Sequence, residues 1–184
     1  MCPPGPRQRF LLRLLLIGCL LRPVGGALQA QPSEAAVKAG FVYNFAKFTE
    51  WPASAPGGHQ LTLCLVAADA SGLVAQAIEG RSVQGRTMTV HRPARADEWR
   101  SCHIVYFTEV DERRQSEVLR LIRGLPVLTI GDADGFAEVG GVIGLVASAG
   151  RIQFEINAEV AQQSSLKLSS QLLRLARAIR GRQP

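Results

Sequence analysis

The residues whose types could support chemistry show no catalytic spacing in this 184-residue chain. His59, His91 and His103 lack paired ligand spacing, whereas a zinc site needs about four ligands. We find no nucleophile elbow, CxxC pair or phosphate-binding loop. The stretch GDADG at 131–135 begins like a calcium loop, but the later ligands and the terminal Glu are missing, which favours an acidic turn. The sequence therefore predicts a non-enzyme with no catalytic residue, no metal and no cofactor.

The N-terminal segment resembles a secretory signal. Arg7 and Arg9 precede an apolar stretch at 14–21, which is too short to span a bilayer, and small residues follow. We predict a signal peptide at 1–30, cleaved after Ala27 or Ala30, and a single exported domain at 31–184. The mature domain is therefore expected outside the cytoplasm.

The cysteines fit an exported domain. Cys2 lies in the signal, and Cys19 ends LIGC, which fits a bacterial lipobox, so lipidation at Cys19 or a retained anchor are the alternatives to ordinary cleavage. The exported domain keeps Cys64 and Cys102. An even pair in an oxidising compartment favours a disulfide, and two buried free thiols are the alternative.

The charge does not indicate nucleic-acid binding once it is located along the chain. The formal net charge is +6, from 21 basic and 15 acidic residues. Residues 1–30 hold four of the arginines and no acid, which leaves 17 basic against 15 acidic residues, a charge of +2. The mature domain therefore lacks the basic excess expected of a nucleic-acid-binding protein.

Strand-like and helix-like patterns alternate after residue 33. The predicted strands are at 61–67, 86–92, 103–109 and 126–132, and the predicted helices are at 72–80 and 112–124. Two further strands, 141–147 and 151–157, flank a turn at SAG, which indicates a hairpin. We predict an α/β fold with a mostly parallel open sheet, flanked by helices, and an antiparallel hairpin near the C-terminus.

A first helix is predicted from Ser33, a good N-cap, to the neighbourhood of Trp51, because Pro52 disfavours helix at the preceding residue. At 100° per residue one face forms a core stripe. Its members are Val37, Phe41, Asn44, Phe45 and Phe48.

Some residues are not explained by the core. Tyr43 projects away from the stripe beside charged residues, and Trp51 lies where the chain turns, so both are candidate partner-binding residues. Glu155 lies on the polar face of the strand at 151–157 and is a third candidate, with a solvated face as the alternative.

The last segment, 166–180, is predicted to be a helix. Leu168, Leu172, Leu175, Ala176 and Ile179 would share its apolar face. Arg174, Arg177 and Arg180 would line another face, which is most simply solvated.

The order of these motifs resembles one known family. AVKAGFVYNFAKFTEWP, the Cys64 strand, SCHIVYF, VLTIGD, GFAEVGGVIGLV and RIQFEINAEVAQQSSLKLSSQLLRLAR together resemble the YfiR-like family of periplasmic regulators, across roughly 35–180. The resemblance implies a repressor that binds the periplasmic sensor region of an inner-membrane diguanylate cyclase and lowers cyclic di-GMP and biofilm formation. It also implies sequestration by an outer-membrane OmpA-like lipoprotein, a homodimer, and a cysteine pair at Cys64 and Cys102.

Two further points follow from the resemblance. Some relatives carry a second cysteine pair toward the C-terminal half, and this chain has none there, so the resemblance does not extend to redox sensing through a second bridge. The alternative function is a periplasmic small-molecule-binding sensor module, because an open α/β sheet places a crevice at the carboxyl ends of its strands.

Overall fold

The structure is a computed structural model, and it describes residues 33–66 and 72–181. The predicted signal peptide and Cys19 lie outside the described residues. The helices of the described part are α1 (Glu34–Lys47), α2 (Leu73–Ile78), α3 (Glu112–Leu121), α4 (Ala158–Gln163) and α5 (Ser170–Leu175), with a 3-10 helix at Glu98–Ser101. None of the helices in these ranges is long and apolar enough to cross a membrane.

The strands are mostly short. They are β1 (Thr49–Glu50), β2 (Gln60–Val66), β3 (Ser82–Val83), β4 (Arg86–His91), β5 (Ile104–Phe107), β6 (Leu128–Gly131), β7 (Ile143–Ser148), β8 (Arg151–Asn157), β9 (Lys167–Leu168) and β10 (Ala178–Arg180). β1 and β9 form a small antiparallel pair, and the other eight form one sheet in the order β10-β8-β7-β6-β5-β2-β4-β3.

The large sheet confirms the predicted fold class. Its five central strands, β4, β2, β5, β6 and β7, run parallel, because α2 and α3 return the chain to the same end of the sheet before β4 and β6. The β7–β8 pair is the antiparallel hairpin expected near the C-terminus. β3 closes the opposite edge as a short antiparallel strand beside β4.

Alternate strand residues build two separate hydrophobic clusters. Leu63 and Tyr106 point to the side covered by α1 and α2, which we call the α1 face. Cys64 and Phe107 point to the other side, the α3 face, where α3 and Trp99 cover the sheet. Helices on both faces explain why the central strands are apolar throughout.

Helix α1 begins as predicted but ends earlier. The Ser33 hydroxyl accepts the amide of Ala36 at 3.2 Å, as an N-cap should. The prediction that the helix continues to Trp51 was wrong, since α1 ends at Lys47. Thr49 is β-branched and fully buried, its hydroxyl donates to the carbonyl of Phe45 at 2.8 Å, and its backbone pairs with β9. Pairing with β9 therefore outweighs continuation of the helix.

The core stripe of α1 is rotated from the predicted one. Asn44 is exposed, and Phe41 and Phe48 are only half-buried, so the predicted stripe was partly wrong. The buried residues are Ala39, Val42, Phe45 and Ala46. The two alanines allow the helix to approach the sheet closely, while the flanking rings of Phe41 and Phe45 both contact Phe154.

The C-terminal helix is much shorter than predicted. Helix α5 ends at Leu175, Ala176 is extended, and Ala178–Arg180 pairs with β8 as strand β10. The prediction that Arg174, Arg177 and Arg180 share one helix face was therefore wrong. So was the shared apolar face of Leu168, Leu172, Leu175, Ala176 and Ile179, since Leu168 lies in β9 and Ile179 in β10. A single helix would leave the edge of β8 unpaired, whereas β10 satisfies its backbone groups.

Two glycines next to the turn before β7 are required by steric contact with a buried aromatic ring. The ring of Phe136 lies against Gly131 and Gly141, and a Cβ at either glycine would collide with it. The ring is 1% exposed and packs on Phe107 within the α3 face. The run GFAEVGG therefore places an aromatic side chain over the ends of two strands.

Candidate functional site

Tyr43 joins α1 to the short edge hairpin of the sheet. Its hydroxyl donates to the carbonyl of Ser82 at 3.1 Å, and the guanidinium carbon of Arg81 lies 3.4 Å from the ring centroid. The ammonium of Lys47 lies 5.8 Å from the same centroid. The ring is half-buried, while Lys47 and Arg81 are exposed. We call these three residues the Tyr43 cluster, and its geometry is that of a cation–π contact on the protein surface.

Gln84 holds the cluster in place. Its side-chain amide donates to the carbonyls of Lys47 and Thr49, both at 3.1 Å, and so binds the β3–β4 turn to the end of α1. Gln84 itself has a positive φ of 51°, a conformation that non-glycine residues adopt in tight turns. The hydrogen bonds of Gln84 therefore hold the β3–β4 turn and the end of α1 together beside the Tyr43 cluster.

Trp51 lies at the amino end of β5, away from Tyr43. Its indole N–H donates to the carbonyl of His103 at 3.1 Å, and its ring meets the His103 ring edge-on at 6.3 Å. The side chain is half-buried and packs on the α1 face of the sheet. One side of the ring is used for the fold, and only the remainder is available to a partner.

The His103 imidazole is buried among fixed polar partners. Nδ1 accepts the amide of Thr62 at 3.0 Å, and Nε2 lies 2.8 Å from the carbonyl of Pro56. These partners place the imidazole proton on Nε2. The guanidinium of Arg86 approaches Nε2 at 2.6 Å, and the Nε of Arg86 has no hydrogen-bond partner in the described part of the chain. Burial lowers the pKa of His103, the Pro56 hydrogen bond opposes this in part, and the Arg86 charge adds a smaller lowering.

Glu155 belongs to an ion-pair network rather than to an open polar face. Its carboxylate accepts from Arg180 at 3.1 Å and lies 3.5 Å from the Nε of Arg177. Arg180 also contacts Glu138 at 2.6 Å. The side chain of Glu155 is 12% exposed, so its charge is largely neutralised by β10 and the segment before it.

The three predicted partner-binding residues do not form one surface. Tyr43 contacts Ser82 at the β3 edge of the sheet, whereas Glu155 lies on β8, next to the opposite edge. Trp51 contacts the start of β5, which is central. Their role in partner binding remains a prediction. Because the three residues lie apart, each is a separate candidate contact.

The structure contains the Cys64–Cys102 disulfide. Cys64 is in β2, Cys102 directly follows the 3-10 helix, and both are completely buried on the α3 face. The bridge crosses between the neighbouring strands β2 and β5, which are also joined by the His103 amide donating to the Thr62 carbonyl at 2.9 Å. The alternative of two free thiols is not what the structure shows.

The acidic turn after β6 is used to bind α1. The carboxylate of Asp132 accepts from Lys38 at 2.8 Å and from the Thr108 hydroxyl at 3.0 Å. Burial disfavours the charge of Lys38, but its hydrogen bonds to Asp132 and Glu34 outweigh this and raise its pKa. Among the described residues no group of three His, Cys, Asp or Glu side chains is arranged to hold a metal.

Sequence reasoning missed Arg81, Arg86 and the buried role of His103. Arg81 is 38 positions from Tyr43, and no local pattern announces that the two meet. The motif SCHIVYF did place His103 at the entry to a buried strand, which was the available signal. A histidine at such a position must satisfy both ring nitrogens internally.

Two solved structures match the chain at low sequence identity. A conserved domain protein from Vibrio cholerae O1 biovar El Tor matches with a TM-score of 0.50 and 10% identity, over 80% of this chain and 60% of that one. The ABC domain from Streptococcus pneumoniae, solved in complex with L-Trp, matches with a TM-score of 0.49 and 12% identity, over 65% and 55%. The chain therefore spans little more than half the length of these structures. The match to the Vibrio cholerae protein shows a similar fold and nothing more.

A family model described as YfiR/HmsC-like matches residues 35–177, which includes α1, the disulfide and the β7–β8 hairpin. The match extends over well more than half of the 184 residues. Together with the internal disulfide, it indicates a periplasmic protein. The chain belongs to the YfiR/HmsC-like family, a family of non-catalytic periplasmic regulators of cyclic di-GMP signalling.

Proposed function

We propose that the protein is a periplasmic repressor that binds the periplasmic sensor region of an inner-membrane diguanylate cyclase. This binding lowers cyclic di-GMP and, with it, biofilm formation. The observation that carries the proposal is the family match over residues 35–177. A regulator without catalysis acts by binding one conformation of its target more tightly than another, so a docking surface is required.

The Tyr43 cluster is the docking surface that we favour. Arg81 and Lys47 are exposed, and neither forms an ion pair with a described residue. An aromatic ring beside two cations suits a partner segment that carries carboxylates beside an apolar side chain. Trp51 offers a second, smaller contact. Glu155 is proposed to act indirectly, because its carboxylate holds Arg180 in place at 3.1 Å.

Two further partners belong to the proposal. An outer-membrane OmpA-like lipoprotein that competes for the same surface would release the cyclase. A second copy of the chain would form a homodimer and present two docking surfaces to the cyclase. Both additions rest on the family, and neither alters the requirement for the Tyr43 cluster.

The experiment measures binding of the purified protein to the isolated periplasmic region of a diguanylate cyclase encoded beside it. We expect Arg81→Ala to weaken binding about tenfold, since a partly desolvated charge contact is removed. Arg120→Ala is the matched control, because Arg120 is an exposed arginine on α3, across the sheet from Tyr43. Absence of binding by the wild-type protein with its disulfide intact would overturn the repressor proposal.

A further inference from the structure

A cavity of about 150 Å³ lies beside the amino ends of β6 and β7 and shares no lining residue with the Tyr43 cluster. Its walls come from the end of α3, the amino ends of β6 and β7, and α4. The apolar part of the lining is Leu119, Ile122, Val127, Val139 and Val160. Val139 is 61% exposed and borders the opening, so the cavity is connected to solvent.

The size of the cavity limits the ligand. An apolar protein cavity of about 150 Å³ is known to hold one benzene molecule. A single aromatic ring, or a branched chain of about six carbons, therefore fills this space. Larger molecules would have to leave most of their surface in water.

Ser164 and Arg123 are polar side chains of the lining. Ser164 is 7% exposed, and its hydroxyl can donate a hydrogen bond to an acceptor on a ligand. The guanidinium of Arg123 is exposed at the rim and makes no ion pair within the described ranges.

The charge of the lining selects the ligand class. Arg123 is the charged residue among those that line the cavity, and no Asp or Glu is among them. A carboxylate on the ligand would pair with Arg123, whereas an ammonium group would find no counter-charge. We propose that this cavity is a binding site for a small apolar monocarboxylate, whose hydrocarbon part fills the cavity and whose carboxylate pairs with Arg123.

This inference goes beyond the proposed repression and does not depend on it. Leu119, Ile122 and Val127 of the lining belong to the α3 face, and Val160 packs against the cluster of the α1 face. No residue of the Tyr43 cluster is among the lining residues. Binding of a monocarboxylate can therefore be measured without any partner protein.

The test is calorimetric titration of the purified protein with phenylacetate, phenylalanine and benzyl alcohol. We expect saturable binding of phenylacetate, and binding of phenylalanine that is weaker by about tenfold, because its ammonium group is unpaired. Arg123→Gln should weaken phenylacetate by about tenfold or more and leave benzyl alcohol unchanged. Arg120→Gln, an exposed arginine outside the lining, is the control and should change neither affinity.

A second variant tests the position of the site. Val139→Trp adds bulk at the exposed rim, where the fold tolerates it, and should abolish binding of both phenylacetate and benzyl alcohol. Phenylalanine binding as tightly as phenylacetate would overturn the proposal. Equal losses in Arg123→Gln and Arg120→Gln, no effect of Val139→Trp, or no saturable binding of phenylacetate would do the same.

Discussion

At the scale of single residues, His103 shows how burial fixes a protonation state. Nδ1 accepts the Thr62 amide, so a proton on Nδ1 would face an N–H group and break the hydrogen bond that anchors β2 to β5. Burial and the nearby charge of Arg86 both oppose the imidazolium form, and the pKa of His103 is lowered as a result. The folded protein therefore requires neutral His103.

This predicts that stability depends on pH in a defined direction. The unfolded chain binds a proton at its ordinary pKa of about 6.5, while folded His103 binds one only at lower pH. The free energy of unfolding should be constant with respect to this group above about pH 6.5 and should fall as the pH drops from there toward the lowered pKa. Urea unfolding between about pH 5 and pH 8 measures it.

Histidine variants separate this effect from those of the carboxylates. His103→Asn retains an acceptor near the position of Nδ1 and cannot titrate, so the fall below about pH 6.5 should disappear. His59→Gln is the control, because His59 is exposed. An unchanged pH profile in His103→Asn would show that another group is responsible.

At the scale of elements, the disulfide should contribute much of the stability of the β2–β5 pair. The two cysteines are 38 positions apart, and closing such a loop restricts the unfolded chain by about 4 kcal/mol on the chain-entropy model. We expect a Cys64→Ala/Cys102→Ala variant to lose roughly that free energy of unfolding in guanidinium titrations. A loss below about 1 kcal/mol would mean that strain in the bridge offsets the entropy.

The buried carboxylate of Glu155 adds to the backbone pairing that holds strand β10 on β8. Glu155→Gln removes the charge that pairs with Arg180 and Arg177 but keeps the shape of the side chain. We expect a loss of about 1–3 kcal/mol, between the values for exposed and buried pairs, together with faster amide exchange in Ala178–Arg180.

Glu138→Gln is the matched control for Glu155→Gln. Glu138 contacts the same arginine, but its side chain is 55% exposed, so its removal should cost at most about 0.5 kcal/mol. Equal effects of the two variants would show that burial of Glu155 does not matter.

The elements also show what a sequence alone can predict. The central parallel strands and the β7–β8 hairpin were predictable, because buried strands and turns have local patterns. The ends of α1 and α5 were not. Thr49 was predicted to lie in the first helix but pairs with Leu168, and Ala178 was predicted to lie in the last helix but pairs with Glu155. Both partners are distant in the chain, so the local helical pattern gave no sign of either pairing. Long-range pairing outweighed local propensity at both sites.

The candidate site follows the same rule. The sequence identified Tyr43 as a residue outside the core, but the cation above its ring, Arg81, is supplied by the loop between α2 and β3. Glu155 was identified as polar, yet its role in holding β10 required knowledge that Arg180 is in a strand. The sequence indicated the chemical type of Tyr43 and Glu155 but not the residues that they contact.

At the scale of the whole molecule, the two hydrophobic clusters share one sheet. Residues that alternate along β2 and β5 belong to the α1 face and the α3 face in turn, so neither cluster can lose its strands while the other keeps them. This predicts that the described part of the chain, 33–66 and 72–181, unfolds as one cooperative unit, as expected of a single domain.

The two tryptophans allow that prediction to be tested cluster by cluster. Trp99 is 2% exposed on the α3 face, and Trp51 packs on the α1 face. Trp51→Phe leaves a fluorescent reporter in the α3 face, and Trp99→Phe leaves one in the α1 face. In each variant the urea midpoint from fluorescence should coincide with that from far-ultraviolet circular dichroism. If either reporter instead changed at a separate midpoint from the circular dichroism of the same variant, the two faces would unfold independently and the single-domain prediction would be wrong.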